Sequence, residues 1–271
     1  PWTEFGRDPS KLGMVAVPGN ELSRHHHTLS LFCDLETDTS DHQTAIAQVR
    51  RAGGIAVLAH PGRYWKLHEG KVPNNVRDRY VRLFSNNAHL IGMEVINQAD
   101  RYPHDRALWD AVLTAMMPDR PVWGMANDDS HRKHQIGLNT TVMLLAEHDA
   151  DHVRKALTEG RYYFTTVTSH PKEQRDPGKV PVIRRITVDK QSGSITITAD
   201  AGVVALDDEA FRWITAGGRV AATGPTLNLA EADGLAKYVR AEIRGPGGTA
   251  YTQPFALGDE QAPDGDEDAP R

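Results

Sequence analysis

Four groups of side chains in the first half of the chain are of types that bind metal ions. They are Glu21 with His25, His26 and His27; His60 in Leu58–Ala59–His60–Pro61; Glu94 with Asn97; and Asp128, Asp129 and His131. Imidazole nitrogen and carboxylate oxygen are donors for zinc, manganese and iron, and a carboxylate can bridge two such ions. A pair of ions generates hydroxide near neutral pH and clamps both oxygens of a phosphoryl displacement. Successive side chains on extended chain alternate, so His25 and His27 share a face that His26 does not. His60 stands at the tip of an apolar run, where a polar ring needs a partner. Asp129 and His131, two apart, fall on one side of an extended turn. His42, His68, His89, His148 and His152 lie in polar stretches and read as ordinary surface residues.

The elements that must position these groups follow from periodicity and turn signals. Short apolar runs predict strands at 14–17, 28–35, 55–59, 92–97, 122–126 and 141–145. Helical spacing predicts helices at 44–51, 76–85, 107–115 and 150–159. Strands alternating with helices imply βα units around a parallel sheet or barrel, with the polar groups just past the strands, where such folds place their sites. Beyond residue 170 the texture changes. Residues 171–181 read as a linker rich in Pro and charge. Alternating or β-branched runs follow at 182–188, 194–198, 211–215, 219–223, 238–243 and 250–255, separated by Gly-rich turns. These predict a small all-β, sandwich-like module over 182–257. The aromatics Trp213, Tyr238 and Tyr251 there read as core.

Charge and histidine are distributed unevenly. The chain of 271 residues has 31 Lys+Arg, 36 Asp+Glu and a formal charge of −5. Residues 258–271 hold six acids and one base, so the preceding body is formally neutral; this tail cannot bury apolar surface and reads as disordered. A neutral body without a basic block argues against nucleic acid or an anionic membrane as partner. No apolar run approaches the roughly 20 residues of a membrane span. All thirteen histidines lie within residues 25–170. The one cysteine, Cys33, excludes an internal disulfide and has no activating group beside it in sequence.

Five motifs in order carry a resemblance. Pro18–Gly19–Asn20–Glu21, His26–His27–Thr28–Leu29–Ser30–Leu31–Phe32, Gly53–Gly54–Ile55–Ala56–Val57–Leu58–Ala59–His60–Pro61, Gly92–Met93–Glu94–Val95–Ile96–Asn97 and Trp123–Gly124–Met125–Ala126–Asn127–Asp128–Asp129–Ser130–His131 resemble the PHP (polymerase and histidinol phosphatase) family. The β-rich end, with Tyr238–Val239–Arg240–Ala241–Glu242 and Tyr251–Thr252–Gln253–Pro254–Phe255, is similar to the module that follows the PHP domain in some bacterial metal-dependent phosphoesterases. The resemblance implies an α/β fold, a distorted (β/α)7 barrel over 1–170, holding up to three divalent ions (Zn, Mn or Fe) at its mouth. It assigns Glu21 as the bridging carboxylate, His27 (or His26) and His60 to the second ion, Asp129 to the first and His131 to the third. Glu94 falls behind the ligands. Arg63 and Tyr64 become candidates to hold a substrate phosphate, with Arg132 and His134 weaker ones.

The family's opening His-x-His and Asp-His motifs should precede Pro-Gly-x-Glu, yet only twenty residues precede Glu21 and none is histidine. Reading His25–His26–His27–Thr28–Leu29–Ser30 as that motif, with Asp41–His42 as the next, leaves the spacing too short and Glu21 on the wrong side. The expectation is therefore an N-terminally incomplete barrel that binds at most one ion tightly, through Glu21, His27 and His60, and is weakly active or inactive alone. The expected function is metal-dependent hydrolysis of a small-molecule phosphate ester, with Arg63, Asp129 and His131 as catalytic candidates. The alternatives are hydrolysis of an amide or carbamate ester, or a non-catalytic binding module on a relic barrel. Homo-oligomerisation and compartment are left open.

Overall fold

The computed structural model describes residues 6–24, 26–37, 39, 41–167 and 176–258. His25, the linker residues 171–175 and the acidic tail from 259 onward lie outside the described residues. A five-stranded sheet is built from β1 (Gly19–Leu22), β2 (Thr28–Leu31), β3 (Ile55–Leu58), β4 (Leu90–Asn97) and β5 (Trp123–Asn127), in that spatial order. Helices α1 (His42–Arg51), α2 (Asn74–Asn86) and α3 (Asp105–Met116) lie between its strands in sequence. β2 runs antiparallel to both neighbours, while β3, β4 and β5 are parallel, connected through α2 and α3. Every residue of β3 and β4 is buried, as expected of parallel strands covered on both faces. Asp41 starts α1 by accepting the Thr44 N–H at 2.7 Å, and the helix buries Ala45, Ile46 and Val49 against the sheet.

Two expectations at the front of the sheet are corrected. No strand forms at 14–17, because Pro18 supplies no N–H and the ladder begins after it at Gly19. There the chains approach so closely that a Cβ would collide with the Ser30 carbonyl. The strand expected over 28–35 stops at Leu31, where Phe32 turns to φ 61° and donates its N–H to Pro18 O at 2.7 Å. Among the described strands the sheet does not close: β1 and β5 are its two ends. The architecture is a mixed α/β one.

The remaining elements are β6 (Asn139–Met143), α4 (Ala150–Glu159), β7 (Tyr162–Thr166), β8 (Val182–Asp189), β9 (Ser194–Asp200), β10 (Phe211–Thr215), β11 (Arg219–Thr223), β12 (Thr226–Asn228), β13 (Tyr238–Gly245), β14 (Gly248–Tyr251) and β15 (Phe255–Ala256). A seven-stranded antiparallel sheet runs β11-β10-β13-β14-β7-β6, with β15 beside β13, and a three-stranded sheet runs β12-β9-β8. β7, which the sequence did not announce, joins β6 to β14, so hydrogen bonding runs from residues before 167 into the C-terminal strands.

β13 alternates sharply. Val239, Ala241 and Ile243 face Phe211 and Trp213 of β10, Ile195 and Ile197 of β9 and Leu227 of β12, so that the two sheets share one apolar core. Tyr238, Arg240 and Glu242 face the other way, toward α3. Arg240, 2% exposed, donates from Nε and Nη2 to both oxygens of Asp110 at 2.8 and 2.7 Å, and from Nη1 to Glu242 at 2.9 Å. Tyr238 donates its hydroxyl to Asp110 at 2.8 Å, and the guanidinium lies 4.9 Å from the Trp109 ring centroid. The Gln253 side chain adds a second tie by pairing both its amide groups with the backbone of Gly124 on β5.

Removing one member of a buried ion pair strands the other charge. Asp110→Ala is therefore expected to cost about 3–5 kcal/mol in urea unfolding, while replacing the whole charged set together, Asp110→Leu with Arg240→Met and Glu242→Gln, recovers most of that loss. A single-variant cost under about 1 kcal/mol, within the range of exposed pairs, would contradict this account of the junction.

Candidate metal centre

The strand register explains how three distant residues meet. β1 and β2 pair Leu22 with Thr28, and β2 and β3 pair Thr28 with Leu58, so the end of β1, the start of β2 and the end of β3 lie at one edge. Glu21, His27 and His60 sit there, and one donor atom from each lies within 4.8 Å of the others. His27 Nδ1 is 2.5 Å from Glu21 Oε1 yet makes no hydrogen bond, and His60 Nε2 is 4.0 Å from Glu21 Oε2. The two imidazoles meet edge to face at 4.8 Å. His60 is buried, His27 half-buried and Glu21 the most open, so the cluster faces solvent on its carboxylate side. Burial lowers the His60 pKa, against the pull of Glu21, which favours the neutral ring that can ligate.

A divalent cation fits this donor set. It has one carboxylate and two imidazoles, and His27 Nδ1 is a buried nitrogen left without a hydrogen bond. Three such ligands leave a position for water, as catalytic ions require. Tyr64 closes one side, its hydroxyl oxygen accepting the His27 N–H at 3.1 Å.

Backbone geometry concentrates at the same edge. His60, Gln98 and Asp129 follow the three parallel strands, and all have positive φ (30°, 51° and 45°), a region that non-glycine residues rarely occupy. Such conformations gather at functional sites, where surrounding bonds must hold them. The holder is Glu94, buried on β4. Its Oε2 accepts the His60 N–H at 2.7 Å and the Asn97 amide at 3.1 Å; its Oε1 accepts the Asn127 amide at 2.7 Å. Burial pushes its pKa up to about 7 despite these donors.

The other expected site residues are placed differently. Asp129 Oδ2 accepts from Gln98 at 2.9 Å and Asn97 at 3.4 Å, and its charge acts on His60 without joining the three-residue cluster. His131 is 72% exposed, its Nδ1 2.8 Å from the Asp129 carbonyl and 3.7 Å from Oδ1. Asp128 closes its own loop by accepting the backbone N–H groups of Gly137 and Asn139. Arg63 is exposed at the end of the turn Pro61–Arg63, 5.9 Å from the Tyr64 ring. Cys33 is buried, and burial raises its thiol pKa, which leaves it a poor nucleophile. A second cluster, Glu147, Asp149 and His152, lies at the start of α4, where Asp149 caps the helix and holds the His152 ring at 2.9 Å.

Searches of protein-family models and of curated proteins return no match for this chain. Among solved structures, it is similar to a two-domain protein of Bacteroides vulgatus described as containing a predicted PHP-like metal-dependent phosphoesterase. The identity is 15%, the TM-score is 0.45, and the match covers 91% of this chain and 76% of that one. So distant a likeness carries no weight here, and the site stands on its own geometry.

Sequence reading did not single out Gln98 or Asp105. Asp105, at the first turn of α3, accepts the Gly62 N–H at 2.8 Å and the Trp65 indole N–H at 3.1 Å, fixing the loop that leaves His60. An acid opening an amphipathic helix looks like an ordinary dipole partner, so nothing local marks it. Burial pushes its pKa up to about 7 from 3.8. The unfolded chain then releases this proton first, so stability falls as pH rises from about 4 to about 7 and levels off above, by up to about 4 kcal/mol. Thermal melts across that range are expected to show the decline, with Asp105→Asn flattening part of it. An unchanged slope in the variant would contradict the assignment.

Proposed function

We propose that the chain is a metal-dependent hydrolase of phosphate esters that holds one divalent cation on Glu21, His27 and His60. The observation that carries the reading is the convergence of these three side chains from three strand ends onto one point. The order of the five motifs, which resembles the PHP family, supports phosphate as the substrate group. In this reading the five-stranded sheet stands for strands of that family's (β/α)7 barrel, residues 1–170 form the hydrolase domain, and residues 182–257 form a β module whose sheet also takes in β6 and β7 of that domain.

A bound divalent ion supplies a Lewis-acid centre that activates water and neutralises charge on a phosphate. The chain's own residues do the rest. His60, whose burial favours the uncharged ring, and His27 present nitrogen donors, and Glu21 presents the open-side carboxylate. Glu94 fixes the His60 backbone, and through it the ring. Arg63, exposed beside Tyr64 and three residues after His60, is the candidate to meet equatorial phosphate oxygens, for which a guanidinium is well shaped. Asp129, oriented by Gln98 and Asn97 and close enough for its charge to act on His60, and the exposed His131 beside it are the remaining candidates on this reading. Cys33 is sealed away from this edge, so attack falls to water and not to a side chain.

Elemental analysis after dialysis against manganese or zinc is expected to find one tightly held ion per chain, lost in His60→Ala and in Glu21→Gln. Slow, metal-dependent release of p-nitrophenol from p-nitrophenyl phosphate should disappear with it. Two or more tightly held ions, an ion retained in His60→Ala, or hydrolysis of carboxyl esters in place of phosphate esters would overturn the reading.

A further inference from the structure

A cleft of about 810 Å³, lined by none of Glu21, His27 or His60, opens between α3, the 67–72 loop and the polar face of β10 and β13. Its wall carries five cationic side chains, Lys71, Arg106, Arg212, Arg240 and Arg244, against two anionic ones, Asp110 and Glu242. The accounting of those charges is one-sided. Both oxygens of Asp110 are taken by Arg240. Glu242 gives Oε1 to Arg240 at 2.9 Å and leaves Oε2 3.7 Å from Arg244. Arg106 is held by Asp100, just outside the cleft, through two bonds of 2.9 and 3.0 Å.

Arg212 and Lys71 are left over. Arg212 sits directly across the ladder from Glu242, yet makes no ion pair with it, and neither cation has a side-chain partner among the described residues. Arg244 is half exposed, with a single distant oxygen to share. Three under-compensated cations thus line one concavity from a loop and two neighbouring strands, beside Arg240, Asp110 and Glu242, which are already paired with one another. Oxyanions are what such a set of donors recognises, and guanidinium pairs bind them in fixed geometry.

We infer that this cleft is a second ligand site, distinct from the metal centre, which takes a small oxyanion of two or more negative charges. The chemistry is shared by phosphorylated and polycarboxylate small molecules, so pyrophosphate and citrate serve as the two probes.

The test is calorimetric titration of metal-free, full-length protein in low-salt chloride buffer. At least one probe is expected to bind saturably at one site per chain. Affinity should fall about tenfold in Arg212→Ala and in Arg244→Ala, as loss of a charge-assisted pair implies, and weaken further in Lys71→Ala combined with Arg212→Ala. Arg212 and Arg244 hold none of the buried network's bonds apart from that one distant contact, so unchanged melts should accompany these losses. His60→Ala, which disables the metal centre, should bind the probe as the parent does. Absence of saturable binding by either probe, or binding unaffected in the Lys71/Arg212 double variant, would overturn the inference. Binding lost in His60→Ala but kept in Arg212→Ala would overturn it too, by assigning the anion to the metal centre. None of these readouts depends on hydrolysis, so failure of the cleft and failure of the proposed function are separable.

Discussion

A carboxylate buried inside a sheet is costly unless hydrogen bonds surround it, and the arrangement around Glu94 shows what such a group can organise. Three donors from three different strand ends reach its two oxygens: the His60 N–H after β3, the Asn97 amide at the end of β4 and the Asn127 amide at the end of β5. The bond to His60 N–H secures a left-handed residue that would otherwise relax to a common conformation. Through Asn97 the same network reaches Asp129, itself left-handed. The edge of the parallel sheet is therefore fixed from within, and the imidazole of His60 is delivered toward Glu21 and His27 by a backbone that cannot easily turn.

A second buried network supports the first from behind. Asp110 on α3 and Arg240 on β13 join the helix that follows β4 to the seven-stranded sheet, and the Gln253 amide grips the backbone of β5 at Gly124. β5 leads directly into Asn127 and Asp129. Aromatic packing fills the space between, with Phe164 of β7 stacked on Tyr251 of β14 at 5.1 Å and Tyr238 and Tyr251 sharing a cluster with the first sheet's core. The C-terminal strands thus act as a buttress for the edge that carries Glu21, His27 and His60. Their polar face is also what leaves the cationic cleft open beside α3.

Local patterns were a good guide wherever one face or both were uniformly apolar. The strands expected at 55–59 and 92–97 form and are buried, the helix expected at 150–159 forms over those residues, and β10 and β11 take the bounds expected of them. That Glu21, His27 and His60 belong together was an implication of the family resemblance. The geometry that brings them together was not legible, because antiparallel register across β1, β2 and β3 leaves no local trace. β7 escaped notice since its Tyr and Thr residues carry no clean alternation when both faces are covered. Arg240 and Glu242 are buried because α3, remote in sequence, lies over them, which nothing within 238–243 announces. His131 shows the opposite limit, since residue type and spacing could not tell that its ring is mostly exposed.

The central claim is that one cation is held by two imidazoles and one carboxylate at this edge. X-ray absorption at the zinc edge of protein loaded with one equivalent examines that donor set directly. Two imidazole rings and oxygen donors are expected, all at about 2.0–2.2 Å, with one ring lost from the spectrum in His27→Ala. A spectrum without imidazole scattering, or one that His27→Ala leaves unchanged, would contradict it.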